Sequence, residues 1–265
     1  CINSGPRYGN GFFPTAFSPI PILNPDKGLR NIKTRGGSEA LGERLALSEK
    51  LSSFFSNRYP DQNVKSYREF YDNSLRLLRS KDLDSFDLRK ESSAMREKYG
   101  LSKFGQGCLL ARRLVETGVR YVEVATDGWD MHNNLQGDME DLSPSFDQAY
   151  AALISDLDQR GMLDSTLVVL ATEFGRKPQF NGNGRGHYPI CFCSVLAGGG
   201  VKRGFVYGSS DKEGAYPDNP VTVHDLHATI GWAAGLPLKK EVLSSSGRPF
   251  FVGGAKAKPV HQLFA

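Results

Sequence analysis

Residues 165–189, STLVVLATEFGRKPQFNGNGRGHYP, constrain the fold more than any other stretch, because their character changes abruptly at one carboxylate. Residues 166–171 form an apolar run rich in Val and Leu, which is how a strand buried on both faces of a parallel sheet reads. The run stops at Glu173, followed by Phe174, Gly175 and Arg176, and then turns Gly- and Asn-rich before reaching His187. Ligands of open α/β sheets gather outside the carboxyl ends of the strands. A carboxylate there, followed by a pliable loop carrying Arg185 and His187, marks a candidate site.

The flanking chain alternates in the same way. Residues 119–125 (VRYVEVA) alternate apolar and polar side chains, predicting a strand that runs into Asp130 and His132. Ser143 before Pro144 predicts a helix start, since Pro suits the first helical position, and Gly161 predicts its end. A further apolar strand over 190–196 ends in three glycines, 198–200. No Lys-Ser/Thr follows them, so a turn is expected and not a phosphate loop. Thr222 with Asp225 makes a capping box for a last helix that stops at Gly235. This order implies an α/β fold with a mostly parallel sheet covered by helices.

Upstream, apolar residues at three- and four-residue spacing predict helices over 38–58 (Leu41, Leu45, Leu47, Leu51, Phe54) and 62–78 (Tyr67, Phe70, Tyr71, Leu75, Leu78). A third is expected over 103–116, carrying Leu109, Leu110 and Leu114 and ending at Gly118. The mixed charges of 80–99 predict a solvated helix. Residues 1–35, with prolines spaced through PTAFSPIPILNP, predict an extended arm packed on other structure. The expected organisation is one domain over 1–265: arm 1–35, helical segment 36–117, sheet core with site loops 118–265.

With 265 residues and a net charge of +4 whose basic residues are interspersed with acids, the chain has no basic stripe, so nucleic acid is not an expected partner. No apolar run approaches the ~20 residues of a membrane helix. Cys191 and Cys193 lie two apart in an expected strand, roughly 6.5–7 Å from each other on one face, which is poor disulfide geometry. Buried free thiols are expected, and the compartment is left open.

Asp130 and His132, two apart in an extended segment, point the same way. Together with Glu173 and His187 they would supply two carboxylates and two imidazoles, a ligand set for zinc or manganese, with calcium or magnesium also compatible. Arg176 and Arg185 are candidate clamps for an anionic substrate group. Taken singly, each residue has a plain structural explanation, and only their joint placement makes a site. His224 and His227 lie three apart on one helix face and are assigned to surface and packing. A glycosidase pair of Asp130 and Glu173 is the other chemistry two carboxylates permit, but the sequence shows no aromatic sugar platform beside them.

Several stretches together resemble one bacterial family, the domain of unknown function 1501: GWDMH at 128–132, ATEFGRKPQFNGNGRGHYP at 171–189, LAGGGVKRG at 196–204 and VTVHDLHATIGWAAGL at 221–236. GFFPTAFSPIPI at 11–22 and YGLSKFGQGCLLARRLVETGVRYVEV at 99–124 extend the resemblance over nearly the whole chain. That family is described as sulfatase-like, within the alkaline-phosphatase-like superfamily. The resemblance implies a three-layer α/β/α sandwich, a divalent metal held by Asp130, His132, Glu173 and His187, and hydrolysis of a sulfate or phosphate ester. The implied substrate is a small anionic ester or a sulfated carbohydrate, and the implied location periplasmic or secreted; an oligomer is compatible. There are departures. Phe174 stands where the superfamily has a ligating His, and Gly186 where the family's usual GRDHW has Asp. No nucleophile is found near Cys1, so the chain is expected to be the C-terminal portion of a longer protein. A non-catalytic binding or scaffold protein with a degenerate site is the alternative expectation.

Overall fold

The computed structural model describes residues 2, 9–13, 17–32, 36–59, 61–244 and 246–265. Cys1 and residues 14–16 of the proline-spaced stretch lie outside the described residues. The chain forms two compact units, residues 1–126 and 127–265.

The first unit is helical. Helices α1 (Gly37–Arg58) and α2 (Gln62–Arg79) fall where apolar spacing predicts them, as does α4 (Lys103–Glu116). On α1 the apolar residues occupy two faces: Leu41 and Leu45 share a half-buried face with Ser48, Ser52 and Ser56, whereas Leu47, Leu51 and Phe54 point outward. The segment 80–99 departs from the single solvated helix expected of it. It folds as two 3₁₀ turns, Lys81–Phe86 and Leu88–Lys90, followed by the short helix α3 (Ser93–Lys98). The cause is local: the side chains of Ser80, Asp87 and Ser92 accept hydrogen bonds from the amides of Asp82, Arg89 and Met95 at 3.0, 3.0 and 3.1 Å, restarting the chain each time. These turns bury Phe86 and Leu88.

Helix α4 is the core of this unit, with Leu109 and Leu110 fully buried and Leu114 nearly so. Its buried polar side chains are paired. Gln106 accepts from Arg96 Nε at 2.7 Å and donates to the Arg96 and Gly100 carbonyls at 3.0 and 2.9 Å. Arg112, 1% exposed, reaches Glu91 at 2.9 Å and Glu116 at 2.7 Å. Of the expected strand 119–125, Val124 alone makes a ladder contact, a parallel bridge to Ile2, which also bridges Ile22.

The second unit overturns the expectation of a mostly parallel three-layer sandwich. Its strands are short and paired two by two, all antiparallel. β1 (Val168–Leu170) pairs with β4 (Val195–Ala197), β2 (Gly175–Arg176) with β3 (His187–Tyr188), β5 (Ser209–Ser210) with β6 (Pro217–Asp218), and β7 (Val242–Leu243) with β8 (Pro249–Phe250). The apolar run 166–171 yields three paired residues, half-buried and joined to one neighbour only, so it is not the interior strand of a large sheet. Helices fill roughly 45% of the chain.

Helix α5 (Leu135–Gln159) begins eight residues before the expected Ser143 start and carries Pro144 in its interior. Its first amide, Leu135 N, donates to Asn183 O at 2.8 Å, a tertiary contact that no local pattern signals. Helix α6 (Val223–Ala233) starts at the expected capping box, with Asp225 N donating to Thr222 Oγ1 at 3.1 Å. Gly198, Gly199 and Gly200 all adopt left-handed φ (70°, 55° and 81°), and a Cβ on Gly198 would lie 2.4 Å from the carbonyl oxygens of Leu163 and Thr166. Only glycine fits that turn. Cys191 and Cys193 are free thiols as expected but not buried, being half-exposed and exposed, whereas Cys108 is buried and its pKa is pushed up to about 12 by that burial.

Burial alone would raise the pKa of Glu91, but hydrogen bonds from Arg113 and Arg112 more than offset it, and the carboxyl is held below its usual value. Glu91→Ala, which leaves the buried Arg112 with Glu116 but without its second carboxylate and takes a partner from Arg113, is expected to destabilise the protein by about 1–3 kcal/mol in urea unfolding. Because the folded pKa is the lower one, this contribution is complete above the unfolded value of about 4.3 and is lost as pH falls through the folded value. The gap between wild type and variant is expected to narrow below about pH 4.

Candidate functional site

The hairpin formed by β2 and β3 presents the site. Gly175 pairs with Tyr188 and Arg176 with His187, and Lys177 N donates to Gly186 O at 2.9 Å. Nearer the tip, Asn181 N donates to Gly184 O at 2.9 Å. This hairpin docks on the segment entering α5: Arg185 N donates to Met131 O at 3.2 Å, in addition to the Leu135–Asn183 bond. The approach is close. A Cβ on Gly184 would lie 2.1 Å from both the carbonyl carbon and the oxygen of His132. Glycine at 184 is therefore what lets His187 reach His132.

Three donor atoms meet as a result. His187 Nε2 lies 2.9 Å from Asp130 Oδ1, His132 Nε2 lies 3.1 Å from the same oxygen, and the two Nε2 atoms are 3.0 Å apart. Arg176 Nη2 is also on Asp130 Oδ1, at 2.6 Å. The Asp130 carboxyl is held down at about 2, first by its hydrogen bond to His187 and then by that to Arg176, with the charges of His132 and Arg176 adding to the effect. Its side chain is 65% exposed, so water screens these interactions and they contribute little to stability.

With Asp130 ionised, no placement of the ring protons makes all three edges hydrogen bonds at once. If both Nε2 atoms carry hydrogen, both can donate to the carboxylate but the two N–H groups then face each other. If one Nε2 is bare, its lone pair faces the carboxylate oxygen. Three ligand atoms this close together are what a cation can bridge. Asp130, His132 and His187 are the single group of this kind among the described residues.

Of the six residues expected at the site, the structure brings together Asp130, His132, His187 and Arg176. Glu173 is exposed and outside the triad. Arg176 contacts Asp130 and the Trp129 carbonyl (3.3 Å), so it braces a carboxylate where an anion clamp was expected. Arg185 stacks over the Phe180 ring at 4.6 Å, and its Nε has no hydrogen-bond partner among the described residues. Phe174, noted in the sequence only as a residue that cannot ligate, packs its ring 4.2 Å from that of His187 at 43°. Nothing in the spacing distinguishes Gly184 from Gly182 or Gly186. His224 and His227 are exposed on α6.

No helix among the described residues is long and apolar enough to cross a membrane. Comparison with curated proteins finds no match, and comparison with solved structures finds none either. The family comparison does: residues 2–264 match the family described as Protein of unknown function (DUF1501), and the chain belongs to it.

Proposed function

We propose that Asp130, His132 and His187 hold one divalent cation and that this centre serves hydrolysis of a sulfate or phosphate ester. The observation that carries the reading is the donor triangle, whose edges of 2.9, 3.0 and 3.1 Å no set of hydrogen bonds satisfies. Tetrahedral ligands about 2.0–2.1 Å from an ion stand roughly 3.3 Å apart, close to that spacing. Two imidazoles with one carboxylate favour zinc or manganese over calcium and magnesium, which prefer oxygen shells.

A bound divalent ion would supply Lewis acidity toward an ester oxygen. The chain's own residues do the rest. Arg176 fixes the Asp130 carboxylate and keeps it ionised, while Phe174 limits rotation of the His187 ring. The positive charge of Arg176 and Arg185 near the triad favours an anionic substrate such as a small ester or a sulfated carbohydrate. This is the sulfatase-like reading that the motifs at 128–132 and 171–189 imply; it rests on the donors and not on a parallel sandwich, which the second unit lacks. Phe174, in the place of a further ligand, favours a second reading in which the site binds without catalysing.

Purified protein is expected to bind about one equivalent of zinc or manganese by titration calorimetry and elemental analysis, and Asp130→Ala or His187→Ala to abolish binding. Arg176→Met, which removes a supporting contact, is expected to weaken it about 10- to 100-fold. Failure of both metals to bind would overturn the proposal. Turnover of an aryl sulfate or aryl phosphate, lost in Asp130→Ala, separates the two readings: binding without turnover selects the non-catalytic one.

Gly184→Ala removes no ligand, yet it is expected to lower metal affinity as Arg176→Met does, because the added methyl collides with the His132 backbone. Unchanged affinity would show that the docking of the hairpin does not set the triad.

A further inference from the structure

Helix α1 carries an apolar stripe that nothing in the first unit explains. Leu47, Leu51 and Phe54 are 60%, 64% and 72% exposed, although they belong to a 22-residue helix whose opposite face already packs. Their spacing places them on one side of the helix, at successive turns. An outward apolar stripe of this kind on a folded unit marks a surface that is covered by a partner.

The ends of the stripe identify the partner. One turn before Leu47 the same face carries Glu43, and one turn after Phe54 it carries Arg58; both are exposed. The order Glu43, Leu47, Leu51, Phe54, Arg58 reads as a near-palindrome of chemistry: acid, apolar, apolar, apolar, base. Laid antiparallel against an identical helix, with the two-fold axis beside Leu51, Glu43 faces Arg58 of the second copy. Leu47 then faces the second copy's Phe54, and the two Leu51 side chains meet at the axis. A two-fold interface requires that a patch complement itself. A parallel arrangement would set Glu43 against Glu43 and Arg58 against Arg58, and is disfavoured. From Glu43 to Arg58 the stripe runs about 22 Å at 1.5 Å per residue. Lys50 borders it at the middle, where a long stem can cover apolar surface while its ammonium stays in water.

We infer that the outward face of α1 is the interface of an antiparallel homodimer, with Leu47, Leu51 and Phe54 as its apolar seam and Glu43–Arg58 pairs closing both ends. The reading is independent of the metal centre, which lies in the other unit.

Sedimentation equilibrium of the full chain from roughly 1 to 100 µM tests it. A monomer–dimer equilibrium is expected, with Leu51→Glu raising the dissociation constant at least ~100-fold, since two apolar side chains per dimer lose their burial. Glu43→Arg and Arg58→Glu are each expected to weaken the dimer, and the double exchange to restore it, because the pair is re-formed with its signs reversed. All these positions are exposed in the monomer, so the variants keep its fold, which circular dichroism checks. A wild type that stays monomeric over the range would overturn the inference. So would a dimer that survives Leu51→Glu, or a double exchange that associates no better than the single variants.

Discussion

The peptide backbones at Gly184 and His132 approach so closely that a methyl group on the former would overlap the carbonyl of the latter. Two main-chain hydrogen bonds hold them there, one on either side of the contact: Arg185 N to Met131 O and Leu135 N to Asn183 O. This is a rigid form of attachment, since it uses backbone and not long side chains. It also joins pieces of chain that are far apart, His132 and His187 being 55 residues distant in sequence. The triad, the entry into α5 and the β2–β3 hairpin all follow from that one contact.

Electrostatics then gives the triad its character. Asp130 Oδ1 faces two imidazoles and a guanidinium, so the carboxylate already has a cation, Arg176, as its partner. With both histidines neutral, the carboxylate and Arg176 cancel in charge, and a divalent ion would leave the group with an excess of two. Such a centre would favour an anion as its next ligand, which is how the proposed ion connects the donor set to an anionic ester. In the proposed centre Arg176 would favour anions indirectly, by neutralising a ligand that would otherwise offset the ion's charge.

What the sequence made legible was local. The spacing at 103–116 identifies α4, and Thr222 with Asp225 identifies the start of α6, because both signals lie within the segment that folds. Asp130, His132 and His187 were marked by their places after expected strands and by the motifs at 128–132 and 171–189, since residue type alone does not single them out among 29 acids and five histidines. The sheet was not legible. An apolar run such as 166–171 reports an extended, partly buried segment, but not how many strands flank it; here β1 has a single neighbour, β4, and it is antiparallel. Glu173 stands outside the triad for the same reason, as its place at the end of a strand brings it to the site only if that strand lies beside one before Asp130, and residues 119–125 form no such strand. The segment 80–99 failed differently: its Ser and Asp side chains cap their own backbone and outcompete the helix that charge patterning suggested.

Ile2 carries a consequence for how the first unit is made. This fully buried residue bridges both Ile22 and Val124, with its amide on Glu123 O at 2.7 Å and its carbonyl accepting from Ala125 N at 3.0 Å. Helices α1 to α4 all lie in sequence between the two joined positions, 2 and 124. During translation at about 5–20 residues per second, Ile2 waits roughly 6–25 s for the segment at 123–125 to be synthesised. That interval is taken up by the synthesis of α1 to α4, so the pairing of Ile2 with this segment can form only after the last helix of the unit has been made.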